Sequence, residues 1–456
     1  MTAVEDLWRE LALPPEPLGW LRLTGADPVL PSSFAIGAAA QASIAAAGLA
    51  AAMLHRRRGG PAQEVAVDMR HAAAEFRSER FLRIDGAPPA DPWDSIAGLY
   101  ATADDRVRLH TNFPHHRDGV LRLLGCAYDR EAVAAALRSW HAEAFEDAAA
   151  AAGLCVTALR DFARWDAHPQ GRAVQAEPLI AIERIDDCPL QPLPPAERPL
   201  GGVRVLDLTR IIAGPVCCRT LAAHGADVLL VTAPHLPAID SLVVDTGRGK
   251  RATSLDLRTS GDSAAFEALL TQADVMVQGY RPGGLAALGF GAEQAARLRP
   301  GIVCVSLSAY GFSGPWAGRR GFDSLTQTAS GLNVAEAAAA GQATPRALPA
   351  QALDHASGYL MAFGAMAALH RRASLGGSWH VRVSLAGTGH WLRGLGRIEG
   401  GCSAADPGFD DVADLLEDSA SPHGRITAVR HAARLSATPA QWARPAVALG
   451  THPPIW

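Results

Sequence analysis

Hydrophobic positions in the second half of the chain fall in short runs separated by small-residue turns. Between Leu200 and Ile398 the order is a strand (VRVLDLTR), a turn (IIAGP), a helix, and a second strand ending at Val231. A basic turn, GRGKRATSLDLR, follows, and then a third strand with an RPG corner, ADVMVQGYRPGGLAALGFG. Further on lie VSLSAYGFSGPWAGRRGFDSL and a helix of small residues holding a lone acid, LPAQALDHASGYLMAFGAMAALHRR. Strands and helices alternating at this spacing predict right-handed βαβ units on a parallel sheet, an α/β fold. Ligands of such sheets sit at the carboxyl ends of the strands, where the turns are expected to fall.

The first half has a different rhythm. Met1–Leu30 reads as a leader with a short helix (Val4–Leu13) and proline turns, and Ser33–Leu54 as a long Ala/Gly helix. A strand is expected at Glu64–Met69, a helix at Arg70–Phe81, strands between Pro92 and Phe113, and amphipathic helices over Asp118–Gly153. The proline-rich Asp187–Leu200 is the clearest linker. The expected division is a small α+β domain over 1–195, a Rossmann-like α/β domain over 196–398 and a tail over 399–456. An internal echo crosses the linker: Ser33–Met69 and Asp354–Leu385 both read as a small-residue helix, HRR, a Gly-Gly turn and a short strand. Aligned on His55 and His370, Asp354 faces Ala39, so one copy carries an acid and the other does not.

Composition narrows the classes. A chain of 456 residues, 48% hydrophobic and 19% charged, can build roughly two or three ordinary globular domains. A net charge of −4 gives no reason to expect nucleic acid or an anionic membrane as partner. Seven cysteines scattered without CxxC spacing suggest a reducing cytoplasm and no structural zinc. The opening residues, with their acids and prolines, do not resemble a signal peptide, and Ala38–Leu54 looks short for a membrane span. The expectation is a soluble cytoplasmic protein.

Asp354 admits two readings: a helix N-cap accepting backbone N–H groups, or a carboxylate nucleophile whose small neighbours Ala356, Ser357 and Gly358 let a bulky substrate approach. Arg210, Arg248, Lys250, Arg251, Arg258 and Arg281 could each be a surface charge. Gathered at one sheet edge, they would suit a phosphorylated ligand. Ala213-Gly214-Pro215 stands where a dinucleotide fingerprint would need GxGxxG. His355 reads equally as a helix-surface histidine or a proton shuttle. Tyr310 and Phe322 flank a Gly/Pro/Trp loop that either packs on itself or walls a pocket. The adjacent His115 and His116 would point apart on any regular element, so no metal is expected there.

The run of motifs resembles the family III CoA-transferases, the group of formyl-CoA transferase, carnitine CoA-transferase and α-methylacyl-CoA racemase. The matching pieces are GVRVLDLTRIIAGP, GADVLLV, GRGKRATSLDLR, ADVMVQGYRPGGLAALGFG, LRPGIVCVSLSAYG, GFDSLTQTASG and LDHASGYLMAFGAMAALHRR, in family order, and RPAVALGTH resembles the usual chain end. The resemblance implies that the acid at Asp354 attacks an acyl-CoA thioester, forming a mixed anhydride and then an aspartyl-CoA thioester that passes CoA to an acceptor acid. It implies CoA contacts from Arg210, Ala213, Lys250, Leu255, Arg258, Gly279, Tyr280, Arg281 and Leu288; beside them, the residues themselves suggest a substrate pocket involving Phe322, Tyr310 and His355. It implies CoA as substrate with no permanently bound cofactor or metal, and a homodimer, interlocked in such enzymes.

Departures from the pattern matter. Where the family has an acid and a GD after the second strand, this chain has Val231-Thr232-Ala233-Pro234. The racemase branch places a histidine before the acid of the G-x-D motif; here Phe322 precedes Asp323, which lowers α-proton exchange below transfer. Ser33–Gln175 resembles the family's second half yet comes first, implying a permuted or fused order. The leading expectation is CoA transfer; the alternatives are an acyl-CoA racemase or isomerase, and a CoA-ester binding protein with eroded catalysis.

Overall fold

The apolar runs of the second half become strands buried on both faces of one sheet. The computed structural model describes residues 2–456; Met1, the first residue of the expected leader and first domain, lies outside the described residues. In chain order the strands are β1 (Ala181–Asp186), β2 (Arg204–Leu208), β3 (Asp227–Thr232), β4 (Lys250–Ser254), β5 (Val275–Gln278), β6 (Val303–Ser308) and β7 (Ser378–Ser384). In space they run β4-β3-β2-β5-β6-β7-β1. All neighbours are parallel except β7 and β1, which pair antiparallel. The residues of β2 and β5 are almost wholly buried, as expected when helices cover both faces. Strand order reverses at β2, flanked by β3 on one side and β5 on the other, and a crevice opens at the carboxyl ends there.

The internal echo is a structural repeat. Helix Ile36–Arg57 packs along helix Ala352–Leu375 in one apolar core, and the alanines and glycines of both let the backbones approach. Their N-cap residues share an unusual backbone: Ala35 has φ −74°, ψ 62°, and Gln351 has φ −75°, ψ 62°. Each helix leads to a strand, Val65–Asp68 or β7, and then to a capped helix. Asp68 accepts the His71 N–H in one copy, and Ser384 the Gly387 N–H in the other.

A remote acid also caps each long helix. Asp27 accepts from Gly37 and Ala38 at 3.1 and 2.8 Å; Asp323 accepts from Leu353 and Asp354 at 2.8 and 2.9 Å. Matched by these caps, Asp354 stands opposite Ala38, one residue from the Ala39 that the HRR alignment gives, because the run from cap to HRR within the helix is one residue longer in the first copy.

The elements cross the expected domain limits. Strand β1, from the first segment, closes the edge of the main sheet. The tail hairpin Leu416–Ser421/Gly424–Val429 pairs with Arg83–Ile84, and Arg434–Leu435 pairs with Val65 and Ala66. Helix Ile36–Arg57 is 22 residues and by length and composition could cross a membrane, longer than the sequence reading allowed, but 94% of its apolar window is buried inside the protein.

Candidate active site

The crevice at β2 and β5 is a cavity of about 620 Å³. The turn after β2 supplies Arg210, Ile211 and Ala213, the turn after β4 Leu255 and Arg258, and the turn after β5 Gly279, Tyr280, Arg281 and Leu288. Phe322 and Asp354 line it from the far side. Phe113, His115, His116 and Cys155 of the first half close it, so both halves of one chain wall the same cavity.

Asp354 is not an N-cap. Gln351 holds that position, and Asp354 is the third helical residue, its own N–H taken by Asp323. Its carboxyl group is buried on the cavity wall. Burial first, then the charges of Asp323 and Glu79, push its pKa well above the usual carboxylate range. Asp323 is itself pushed up to about 6 by burial, offset by the N–H groups of Asp354 and Leu353 and by the Gln327 amide. Gly358, one turn on, is where this helix meets helix Ala213–Ala223: a Cβ there would lie 2.5 Å from the Ala213 carbonyl oxygen. No side chain caps the latter helix, whose first residue lines the cavity; Pro215 carries no N–H and the Val216 N–H is bonded to the Ile212 carbonyl, which leaves Ala213 and Gly214 as its opening donors. Just before it, Ile211 has φ 76°, a left-handed conformation costly for a β-branched residue and a mark of functional strain.

The arginine turns divide into two groups. Arg210 is half-buried, donates to the Pro237 carbonyl and lies 4.8 Å over the Phe113 ring. Burial lowers its pKa, and no carboxylate among the described residues pairs with it. Arg281 is exposed at the rim. Arg258 donates to Asp256 at 2.6 Å and to Nδ1 of His235 at 2.9 Å. Burial pushes the Tyr280 phenol up to about 12.

Lys250 does not line this cavity: its Nζ is buried, donating to Asp207 at 2.8 Å and to the Pro215 carbonyl at 3.0 Å. Arg248 is buried against Asp245 and Trp442, and Arg251 pairs with Asp227 at 2.9 Å. The reason is topological, since Lys250 and Arg251 open β4, and only the turn after Ser254 reaches the carboxyl edge.

Two expected pocket residues also lie elsewhere. Tyr310 is buried against Trp316, with ring centroids 5.1 Å apart, and does not line the cavity. His355 is enclosed, its Nε2 3.0 Å from Glu79, away from the cavity wall and from the helix surface alike. Phe322 does line the cavity, with His110 stacked behind it at 3.8 Å and 12°. Burial drives that imidazole's pKa down to about 3. Sequence reasoning missed the first-half wall. His116 lies 3.6 Å from the Cys155 sulfur, its pKa pushed down to about 3 by burial and by His115, Arg320 and Arg210. The signal for this wall in the sequence is the His115-His116 pair.

The model of CoA-transferase family III matches residues 17–187 and 200–395, and the chain belongs to that family. It is 30% identical over 404 residues to an acyl-CoA transferase of Gibberella moniliformis, covering 77% of this chain and 69% of that one. It is 31% identical over 198 residues to the acetyl-CoA:oxalate CoA-transferase of Acetobacter aceti, covering 41% of this chain and 51% of that one, about half its length. A crystal structure of Rv3272 from Mycobacterium tuberculosis, 31% identical, covers 45% of this chain and 57% of its own, with a TM-score of 0.41.

Proposed function

We propose that the chain transfers CoA from an acyl-CoA to a carboxylic acid, with Asp354 as the covalent nucleophile. The observation that carries this reading is a buried carboxylate without a cationic partner among the described residues, set on the wall of a cavity at the switch point of a parallel sheet. A carboxylate so placed is poorly solvated, and therefore reactive once ionised. The names of the Gibberella and Acetobacter relatives support the substrate classes.

In this mechanism an Asp354 oxygen attacks the thioester carbonyl, the C–S bond breaks, and an acyl–aspartyl anhydride forms with CoA thiolate. The thiolate attacks the aspartyl carbonyl, giving aspartyl-CoA thioester and the free donor acid. The acceptor carboxylate attacks that thioester and again displaces the thiolate, which then takes the acceptor acyl group and restores Asp354. The Ala213 and Gly214 N–H groups that open helix Ala213–Ala223 would hold the oxyanion of each tetrahedral step. Phe113, Phe322 and Leu385 would keep water from the anhydride. Arg210, Arg258 and Arg281 would bind the phosphates of CoA.

Because both halves of one chain line the cavity, the site is proposed to be complete within a single chain, the leading half standing where a permuted or fused second half would. Racemisation is disfavoured because Phe322 separates His110 from the cavity. The test is Asp354→Ala: transfer should be abolished while CoA still binds, and retained turnover rules the mechanism out.

A further inference from the structure

Glu79 and His355 meet at the seam between the two halves. Glu79 lies on the short helix Ser78–Phe81, and its carboxylate is 3.0 Å from Nε2 of His355, which follows Asp354 on the same helix turn. The imidazole is enclosed, stacked on Phe76 at 5.5 Å and 26°, and its Nδ1 has no partner among the described residues. Next to Glu79, Ser78 donates to Asp245 at 2.6 Å and accepts from Arg219 at 3.2 Å, which fixes the segment from its other side. Neither Glu79 nor His355 lines the cavity, and the chemistry above uses neither. Taking a carboxylate and an imidazole out of water is costly, and an apolar pair would pack as well.

We propose that Glu79 and His355 are positioning residues that set the charge state of Asp354 from behind, so that the first half of the chain governs the nucleophile of the second. The proposal rests on the reading of Asp354 as nucleophile. Each of the other acids facing this turn has its own partner. Asp245 is held by Arg219 at 2.9 Å and Arg248 at 3.3 Å. Asp323 is held by the N–H groups of Leu353 and Asp354 and by the Gln327 amide. Glu79 has His355, and Asp354 has no cation among the described residues. The Glu79 charge therefore adds to the burial and the Asp323 charge that raise the Asp354 carboxyl, and His355 is the group bonded to that charge. The imidazole also steadies the ionised forms of Asp323 and Asp245, which makes it a shared counter-group for the acids of the seam.

A water-soluble carbodiimide with an amine couples protonated carboxyl groups, so its pH dependence at Asp354 reads that group without any turnover. Coupling at the Asp354 peptide, quantified by mass spectrometry on the full chain, gives a midpoint for the native protein, Glu79→Gln, Glu79→Asp and His355→Gln. The expected midpoint falls by about one pH unit in Glu79→Gln, stays near native in Glu79→Asp and rises in His355→Gln. Native midpoints in folded Glu79→Gln, or in folded His355→Gln should the first variant fail to fold, overturn the proposal. If the midpoints move as expected but the native chain transfers no CoA, the dyad stands and the transferase reading falls. If the native chain transfers CoA while the midpoints stay fixed, the reverse holds.

Discussion

The carboxylate of Asp323 accepts the backbone N–H of Asp354 at 2.9 Å, so one acid caps the helix that presents the other. Two buried acids thus meet at one helix end, and the Asp323 charge adds to burial in raising the cost of ionising Asp354. Asp27 repeats the cap on Gly37 and Ala38, where the first copy has no acid to present.

Replacing Asp323 separates the cap from the charge. Asp323→Ala strands the Leu353 and Asp354 N–H groups and should cost about 1–2 kcal/mol, measured by urea unfolding. Asp323→Asn keeps an acceptor but removes the charge. The acid limb of its kcat/KM profile should move to lower pH, because the Asp354 carboxyl then ionises more readily.

The perturbed carboxyl should also be visible in stability. Asp354 has a folded pKa raised above its ordinary 3.8, so the folded state favours the protonated form. Stability from that preference is present below the unfolded value and is lost as pH rises through the folded one. Asp354→Asn should therefore melt higher than the native chain at pH above neutrality, with the gain vanishing in acid. A lower melting temperature for the variant at every pH would contradict this.

The contrast between the basic residues gives a paired prediction. Lys250→Met breaks a buried contact with Asp207 and should destabilise by about 3–5 kcal/mol, with CoA affinity of the folded fraction unchanged. Arg281→Ala should do the opposite, weakening CoA binding by about 1–2 kcal/mol at constant melting temperature. Calorimetric titration and thermal unfolding on both variants distinguish the roles.

Gly358→Ala probes the approach of the two helices at the site. The added methyl group would meet the Ala213 carbonyl oxygen at 2.5 Å and the Val216 side chain at 2.8 Å. Overpacking of this kind costs about 1–3 kcal/mol and should push the first turn of helix Ala213–Ala223 away from Asp354. The expected result is a lower kcat with CoA affinity little changed.

Local signals were legible in the sequence wherever they set local structure. The runs VRVLDL, VMVQ and VCVSLS are long enough and apolar enough to be central parallel strands, and the turns after β2 and β5 reach the ligand edge as expected. Lys250 was misplaced because a basic turn looks the same whether it leads into a strand or out of it, and only chain direction in the folded sheet decides. Tyr310 and His355 were misplaced because an aromatic loop or an imidazole beside an acid does not reveal which face it buries. His116 and Cys155 reach the site through tertiary packing across more than a hundred residues, which no periodicity records. Glu79 is further still from Asp354 in sequence and has no motif around it.

Mass spectrometry of the intact chain after incubation with a panel of acyl-CoAs, followed by mapping of the modified peptide, tests the role of Asp354 most directly. A hydroxylamine-sensitive adduct of CoA mass on the peptide holding Asp354, absent in Asp354→Asn, is the predicted result. Continued turnover with that peptide unmodified, or the adduct on another residue, would contradict it.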